Sequence, residues 1–373
     1  GRGRAYDVPA PNPSSVPRAG HRAGWSGPGL DRVVRTGSGP GRFGRMETRV
    51  LGRTGRSVGV VGLGCWQLGG DWGEVDDEAA RAVLDAALDA GVTFLDTADV
   101  YGDGRSETFV GKVLAERGRE GITVATKMGR RADPHVADAY TLDAFRRWND
   151  RSRANLGVDT IDLVQLHCPP TDVYRRERTY DDLDTLVAEG RIAAYGVSVE
   201  TVEEALLAIA RPHVATVQII LNVFRRKPLE EVLPAAREAG VGIIARVPLA
   251  SGLLSGKYDE HTTFAASDHR TYNRKGEAFD VGETFAGVPF EVGVVAAREV
   301  ASFTPAGATT AQLALRWIID QPGVSVVIPG ARSPEQARGN AEAAELPPLD
   351  HETLGGLQRI YDESIRFHVH HRW

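Results

Sequence analysis

The chain has 373 residues, 42% of them hydrophobic and 25% charged, with a formal net charge of −6 at pH 7. It contains no uninterrupted run of about 18 apolar residues, which excludes a membrane-spanning helix. Residues 1–45 carry eight Arg and two Asp, a charge of +6, so the remainder carries −12, and an acidic body argues against nucleic acid as a partner.

Residues 1–45 differ from the rest of the chain in composition. They contain ten Gly and six Pro and show no hydrophobic period. Such a segment cannot bury enough apolar surface to fold. It also lacks the apolar stretch of a secretory signal and the amphipathic pattern of a transit peptide. We therefore predict a disordered extension over 1–45 and a single domain over 46–373.

From Met46 onward the sequence predicts a hairpin followed by alternating strands and helices. The segments Thr48–Leu51 and Ser57–Val60 flank a glycine-rich turn, a pattern that indicates a β-hairpin. Strands are then predicted from apolar, β-branched runs at 58–63, 92–95, 122–126, 161–166, 192–197, 214–219, 241–245 and 324–328. Helices are predicted from apolar spacings of three and four residues near 79–90, 106–116, 141–156, 179–189, 201–210, 229–239, 309–320 and 334–344.

Eight strands that each precede a helix favour a closed barrel over an open sheet. An open doubly wound sheet would need Gly-x-Gly-x-x-Gly after its first strand, and Gly62–Gly69 does not have that spacing. A long excursion, roughly 253–305, separates the seventh strand from its helix and has the length of a lid or binding loop. The predicted fold is α/β, a (β/α)8 TIM barrel with an N-terminal β-hairpin and a long loop excursion after strand 7.

Four chemically distinct side chains lie at the ends of three consecutive predicted strands. Asp96 and Tyr101 follow the strand at 92–95, Lys127 follows the next strand, and His167 follows the one after that. The carboxyl ends of parallel strands open on one face of a barrel, so these groups can converge there. Taken singly, each has an ordinary structural explanation, but their occurrence at three successive strand ends favours a shared site.

These residue types suit the reduction of a carbonyl group, which needs a hydride and a proton. The Tyr101 hydroxyl can donate the proton, and we expect the Lys127 ammonium to lower the pKa of that phenol. Asp96 would keep the lysine charged and in place. A neutral His167 would orient the carbonyl oxygen or share in the proton transfer.

The chain resembles the aldo-keto reductase superfamily from about Thr48 to the mid-340s. The matching motifs are, in order, Gly62-Leu-Gly-Cys-Trp66, Leu95-Asp-Thr-Ala-Asp-Val-Tyr-Gly102, Thr126-Lys127 and Leu166-His167. The resemblance implies a catalytic tetrad of Asp96, Tyr101, Lys127 and His167 in a barrel that binds NADPH. It further implies a substrate pocket lined by Trp66, Tyr101 and His167, although the sequence alone leaves a core-packing role for Trp66 equally open.

The resemblance also places the nicotinamide. Ser198 and Gln218 match residues that hydrogen-bond its carboxamide, although the Asn that commonly follows the Ser is Val199 here. Arg246 replaces an aromatic residue that usually stacks on the ring, and its positive charge suits reduced cofactor better than oxidised cofactor. The residues predicted to contact the cofactor are Gly64, Cys65, Trp66, Ser198, Gln218, Arg246, Pro248, Leu249, Ser251, Gly252, Leu253, Lys257, Ile328, Gly330, Arg332, Gln336 and Asn340.

Two of these segments are predicted to hold phosphates. The small-residue loop 248–257 ends on a lysine and offers backbone N–H groups to a pyrophosphate. Ser333 and Gln336 are predicted to form a capping box at a helix start, which favours anions. The resemblance assigns that helix start to the adenosine 2′-phosphate, with Arg332 as the cation left in the motif. We therefore predict NADP(H) over NAD(H).

Cysteine and histidine content gives little sign of other sites. Cys65 and Cys168 are too few for a disulfide framework, which favours a reducing cytosol. The histidines at 368, 370 and 371 lack a further ligand at suitable spacing for zinc. We predict no metal, and we expect the C-terminal segment to fold over the pocket.

The sequence thus predicts a cytoplasmic NADPH-dependent oxidoreductase that reduces a small aldehyde or ketone, with Tyr101 as general acid. Two alternatives stay open. One is a cofactor-binding regulatory subunit with little turnover, since some members of the superfamily are auxiliary subunits of membrane channels. The other is a barrel isomerase or lyase, which would bind no nicotinamide cofactor.

Overall fold

The computed structural model describes residues 46–69 and 76–373, so the extension predicted over 1–45 lies outside the described residues. The strands are β1 (Thr48–Val50), β2 (Ser57–Gly59), β3 (Leu63–Gly64), β4 (Phe94–Asp96), β5 (Thr123–Met128), β6 (Leu163–His167), β7 (Tyr195–Ser198), β8 (Val214–Ile220), β9 (Gly242–Arg246) and β10 (Val324–Val327). The α-helices are α1 (Asp77–Asp89), α2 (Arg105–Arg117), α3 (Leu142–Leu156), α4 (Thr171–Arg175), α5 (Glu177–Ala188), α6 (Val202–Ile209), α7 (Val232–Ala239), α8 (His269–Tyr272), α9 (Phe290–Ala301), α10 (Thr310–Ile319), α11 (Pro334–Glu342), α12 (His351–Ile360) and α13 (Arg366–Val369).

Strands β3 to β10 form one parallel sheet in sequence order. The Val327 carbonyl accepts a hydrogen bond from Gly62 N (2.8 Å), and Val327 N donates to the Val60 carbonyl (2.9 Å). These bonds join the two ends of the sheet and close it. Helices α1, α2, α3, α5, α6, α7, α10 and α11 follow the eight strands in turn. The predicted (β/α)8 barrel is confirmed.

Two differences from the sequence prediction exceed shifts of a few residues at element ends. The first barrel strand is shorter than 58–63, because residues up to Gly59 pair with β1 in the hairpin. Apolar residues continue from the hairpin into the barrel, so composition alone does not separate the two elements. The excursion predicted as a loop contains helix α8 and the 12-residue helix α9. None of the helices in the described part of the chain combines the length and hydropathy that a bilayer crossing requires.

The N-terminal hairpin covers the amino end of the barrel. Leu51 and Val58 are fully buried there and pack against residues of the barrel strands and their ends, namely Phe94, Ala125, Leu163, Ile244, Val326 and Ile328. Gly52 approaches so closely that a Cβ atom there would lie 2.1 Å from the Gly242 nitrogen. With its positive φ of 49° as well, this position accepts only glycine. The carboxyl ends of the strands lie at the other end of the barrel.

We expect Leu51→Ala to lower the free energy of unfolding by about 2–5 kcal/mol, because it opens a cavity in a closely packed core. Urea denaturation followed by circular dichroism measures this change. The neighbouring Val50 is 61% exposed, so Val50→Ala should stay within about 0.5 kcal/mol of the unmodified chain. Equal losses in the two variants would show that the hairpin does not seal the barrel.

Candidate active site

A cavity of about 540 Å³ opens at the carboxyl ends of the barrel strands. Of the predicted site residues, those that line it are Gly64, Cys65, Trp66, Asp96, Tyr101, His167, Ser198, Gln218, Arg246, Pro248, Leu249, Ser251, Gly252, Lys257, Ile328, Gly330, Arg332, Gln336 and Asn340. Lys127 is buried beside Tyr101 and is not among the lining residues. Leu253 is also fully buried, and its side chain packs toward Gly293 of α9 and away from the cavity.

The four side chains at the ends of β4, β5 and β6 come together. Lys127 Nζ forms an ion pair with Asp96 and donates hydrogen bonds to the Tyr101 hydroxyl (3.2 Å) and the Thr97 carbonyl (3.0 Å). The rings of Tyr101 and His167 lie 5.9 Å apart and almost perpendicular, at 86°. The phenol therefore lies between the ammonium and the imidazole, at the wall of the cavity.

Two amides hold the second carboxylate oxygen of Asp96. Gln165 and Gln218 donate to Oδ2 at 3.0 Å and 2.8 Å, and Gln218 also donates to Gln165 Oε1 at 3.0 Å. Gln165 was not among the predicted site residues. It precedes His167 by two residues in β6, so the alternation of a strand places both on the inner face, and that signal was available. A buried ion pair needs such additional hydrogen bonds to be tolerated.

Burial sets the protonation states of this group. Burial raises the pKa of the Tyr101 phenol, and the attraction of Lys127 only partly offsets it, so the expected lowering is not found. Burial opposes the charge of Lys127, but Asp96 and Tyr101 together outweigh this effect and raise the lysine pKa. Burial, with the charges of Arg130 and Lys127, holds the pKa of His167 well below its usual value. At neutral pH the site combines a protonated phenol, an ammonium and a neutral imidazole.

The loop after β9 has an unusual backbone. Val247 and Ser251 have positive φ angles of 51° and 56°, which are strained for residues with a Cβ atom. Asn222 Nδ2 donates to the Val247 carbonyl at 2.8 Å and helps to hold this turn. The Ser251 hydroxyl donates to the Glu283 carbonyl (3.1 Å) and accepts from Phe285 N (3.0 Å), so it fastens the excursion to the loop.

Three cationic side chains from the loop, the excursion and the start of α11 line the cavity: Lys257, Arg270 and Arg332. Arg270 is oriented by a bidentate ion pair with Asp268 and by a hydrogen bond to the Tyr258 hydroxyl. A polyanionic ligand would find positive charge on several sides here.

The start of α11 matches its prediction in part. Ser333 Oγ accepts a hydrogen bond from Gln336 N at 3.2 Å, as a capping residue should. The Gln336 side chain, however, accepts from Arg332 N (2.8 Å) instead of completing a capping box at Ser333. Asn340 donates to the Gly330 carbonyl at 3.1 Å, which ties the helix to the end of β10.

Aromatic residues form another part of the cavity wall. The Trp66 ring stacks at 6.0 Å from Tyr101 and also contacts His269 (5.0 Å) and Phe279 (6.1 Å). His269 and Phe279 belong to the excursion, so this segment covers the cavity beside the phenol. A ligand with a flat, apolar body would fit against these rings.

A cluster of charged residues, of which only Arg246 was predicted from the sequence, lies near His167. Arg246 Nη1 pairs with Glu283 at 2.6 Å, and Arg130 Nη2 lies 3.9 Å from Glu200 and from Glu283. The ligand atoms of Cys168, Glu200 and Glu283 are within 4.8 Å of one another, a spacing that could hold a metal ion. Two guanidinium charges adjoin the same carboxylates, so a further cation would be repelled.

The C-terminal segment packs against the excursion. Trp373 Nε1 donates to Asp280 at 3.1 Å, and the Arg225 guanidinium lies 3.5 Å from the centroid of the Trp373 ring. His370 contacts Tyr361 and Glu230. The residues that line the cavity include none from 366–373. The segment therefore packs against the excursion near Glu283 without contributing to the lining of the cavity.

Residues 60–362 match the model of the aldo/keto reductase family. The chain is 34% identical over 332 residues to the aldo-keto reductase YhdN of Bacillus subtilis, covering 86% of this chain and 95% of that protein. It is 28% identical to a probable voltage-gated potassium channel subunit beta of Arabidopsis thaliana, over 82% of this chain and 93% of that one.

Solved structures with the same fold include the glycerol dehydrogenase AKR11B4 from Gluconobacter oxydans. It has a TM-score of 0.68 and 30% identity, over 87% of this chain and 96% of that one. An aldo-keto reductase from Klebsiella pneumoniae in complex with NADPH has a TM-score of 0.63 and 27% identity, over 85% of this chain and 95% of that one. The similarity therefore extends over nearly the whole length of these proteins.

Asp99, in the loop between β4 and Tyr101, is a buried carboxyl group with an unusual pKa. Its side chain is fully buried, and its one ion-pair partner among the described residues, Arg131, lies 3.4 Å away. Burial, reinforced by the charge of Glu107, raises its pKa from 3.8 to about 7. Between these two values the unfolded chain releases the proton while the folded chain keeps it. Stability therefore falls as pH rises through this range.

We expect Asp99→Asn to remove this pH dependence. From pH 5 to pH 8 the unmodified chain should lose about 3 kcal/mol relative to the variant, the equivalent of two pKa units. Urea denaturation at pH 5, 6, 7 and 8 measures the difference. Asp103 pairs with the same Arg131 but is 80% exposed, so Asp103→Asn is the matched control. Parallel stability curves for Asp99→Asn and the unmodified chain would contradict the assignment.

Proposed function

The chain belongs to the aldo/keto reductase family, and we propose that it reduces an aldehyde or ketone to an alcohol with NADPH. The family resemblance predicted from the motifs is confirmed, and membership makes the chain an oxidoreductase. The proposal rests chiefly on one observation. The Tyr101 phenol accepts a hydrogen bond from a buried ammonium and faces a neutral imidazole at the wall of the cavity.

The chemistry of the cavity suits a nicotinamide dinucleotide. Ser198 offers a hydroxyl to the carboxamide, and Gln218, whose N–H groups bond Asp96 and Gln165, offers its amide oxygen. Lys257, Arg270 and Arg332 offer charges to the phosphates. A solved relative is in complex with NADPH, which supports the same class of cofactor here. The placement of Arg332 beside the start of α11 favours NADP(H) over NAD(H), because the 2′-phosphate needs a cation.

A bound reduced nicotinamide supplies the hydride for such a reaction. The protein's part is the proton: Tyr101 holds it at neutral pH, since burial keeps the pKa of the phenol high, and gives it to the alkoxide as that charge develops. Lys127 stabilises the tyrosinate that remains, and Asp96 keeps the ammonium charged. The neutral His167 donates its N–H to the carbonyl oxygen and so positions it.

We expect Tyr101→Phe to lower kcat by at least about 100-fold, the usual effect of losing a general acid. The affinity for NADPH should change little, because the ring remains. Stopped-flow and steady-state assays with a small aldehyde measure the rate. Tyr140→Phe is the control, since its hydroxyl bonds to the Gly129 carbonyl and lies outside the lining of the cavity. Near-normal turnover in Tyr101→Phe would rule out the mechanism.

We expect Arg332→Met to weaken NADPH binding by about 10- to 100-fold, the effect of one charge-assisted hydrogen bond, and to leave NADH binding nearly unchanged. Titration of tryptophan fluorescence with each cofactor measures both affinities. Arg338→Met removes a charge on the same helix that pairs with Glu335, and serves as the control. Equal affinity of the unmodified chain for both cofactors would refute the preference, and no quenching at all would favour an isomerase or lyase.

A second candidate is a cofactor-binding regulatory subunit, favoured by the similarity to a protein named as a probable channel beta subunit. The two functions predict different rates. A reductase should turn over at about 1 per second or faster with a good substrate, whereas a subunit with little turnover should stall after one round with tightly held cofactor. Single-turnover and steady-state rates on one carbonyl compound separate them.

A further inference from the structure

We propose that the preferred substrates are aldehydes or ketones that also carry a carboxylate, and that Arg130 binds this carboxylate. The inference rests on the proposed function, because it names the substrate class of the same cavity. It comes from the charges beside the phenol, which the reduction itself does not use.

Arg130 has a guanidinium group with unused donors. It lines the cavity together with Tyr101 and His167. Its nearest carboxylates, Glu200 and Glu283, each lie 3.9 Å from Nη2, too far for a hydrogen bond. Among the residues that the structure describes, no atom accepts a hydrogen bond from its side chain. A partly buried guanidinium in this state gains most from a bidentate acceptor such as a carboxylate.

Arg246 differs from Arg130 because its contacts are made within the protein. It pairs with Glu283 through Nη1 at 2.6 Å and donates to the Val199 carbonyl through Nη2 at 2.9 Å. The charge of Glu283 is therefore taken up by Arg246. Of the two arginines, Arg130 is the one with its hydrogen-bond donors left for a ligand.

The fourth charge in this group, Glu200, only partly opposes an anion. Burial, followed by the charge of Asp280, raises the pKa of Glu200 to about 7, so this carboxyl is about half ionised at neutral pH. The charge of Asp280 also acts on Arg225, a further guanidinium nearby, so these two charges offset each other. Arg130, Arg246, Glu283 and a half-ionised Glu200 then leave a net positive charge. An incoming carboxylate is therefore attracted to this side of the cavity.

The positions of the groups that line the cavity limit the shape of the substrate. Its carbonyl oxygen must reach Tyr101 and His167, and its carboxylate must reach Arg130 in the same cavity. The rings of Trp66 and Phe279 lie 6.1 Å apart and offer contact to a short apolar body between these two groups. Small formyl or oxo acids have this arrangement.

The test compares each substrate with its own uncharged analogue. Probes are 3-formylbenzoate and 4-formylbenzoate, each paired with its methyl ester, and the readout is the ratio of kcat/KM for acid over ester. In Arg130→Met we expect this ratio to fall by about 10- to 100-fold for the better acid, mainly through KM, as loss of a charge-assisted pair predicts. Arg130→Lys keeps the charge but loses the bidentate donor geometry of the guanidinium, so its acid-to-ester ratio should lie between those of Arg130→Met and the unmodified chain.

The neighbouring Arg131 provides the matched control. It carries the same charge one residue away but pairs with Asp103 and Asp99 and is not among the lining residues. Arg131→Met should leave the acid-to-ester ratio within about twofold. An equal fall in both variants would indicate a general effect of charge and would overturn the direct contact.

A binding measurement separates this inference from the proposed function. Benzoate is titrated into the NADPH-loaded protein and followed by cofactor fluorescence, with benzamide as the neutral comparison. Benzoate should bind more tightly than benzamide, and Arg130→Met should abolish the difference even if no aldehyde is reduced. If the esters are reduced but neither the acids nor benzoate is preferred, the role of Arg130 is refuted while the proposed reductase function still holds.

Discussion

The arrangement depends on one buried ion pair, between Lys127 and Asp96. Both side chains are almost completely buried, and an isolated charge in that environment would cost several kcal/mol. The pair is tolerated because Gln165, Gln218 and the Thr97 carbonyl supply the remaining hydrogen bonds. These groups come from β4, β5, β6 and β8, so satisfying one ion pair fixes the relative positions of four strands. A change that disrupts this ion pair would therefore disturb both the barrel and the candidate site.

The same burial determines which proton chemistry is possible. A phenol next to an ammonium in water would be expected to ionise more easily, yet here burial prevails and the pKa of Tyr101 rises. A phenol that keeps its proton until a stronger base forms beside it is suited to the role of general acid that we propose. The low pKa of His167 has the same origin, and a neutral imidazole next to an ammonium avoids a second positive charge. The burial of these side chains therefore determines their protonation states as much as the identity of the four residues does.

The sequence predicted what depends on local periodicity and on strand ends. Alternating apolar patterns identified the eight strands and their helices, and the polar residues at strand ends identified Asp96, Tyr101, Lys127 and His167. The division between the hairpin and β3 was not predictable, because both are apolar and only tertiary pairing separates them. Gln165 could have been found from strand alternation. Glu283 could not, because its position depends on the path of the excursion.

That path separates the side chains that the proposed reaction uses from those that would face a substrate. The ammonium, phenol and imidazole are held at the ends of barrel strands, whereas Phe279 and Glu283 reach the cavity from one excursion, and His269 of the same excursion packs against Trp66. Ser251 fastens this segment on one side and Trp373 braces it on the other. Changes in the excursion would alter the wall facing a substrate without disturbing the ion pair below it. Arg130 lies two residues after the end of β5, whereas Glu283 belongs to the excursion and sets how much of the nearby positive charge a ligand meets.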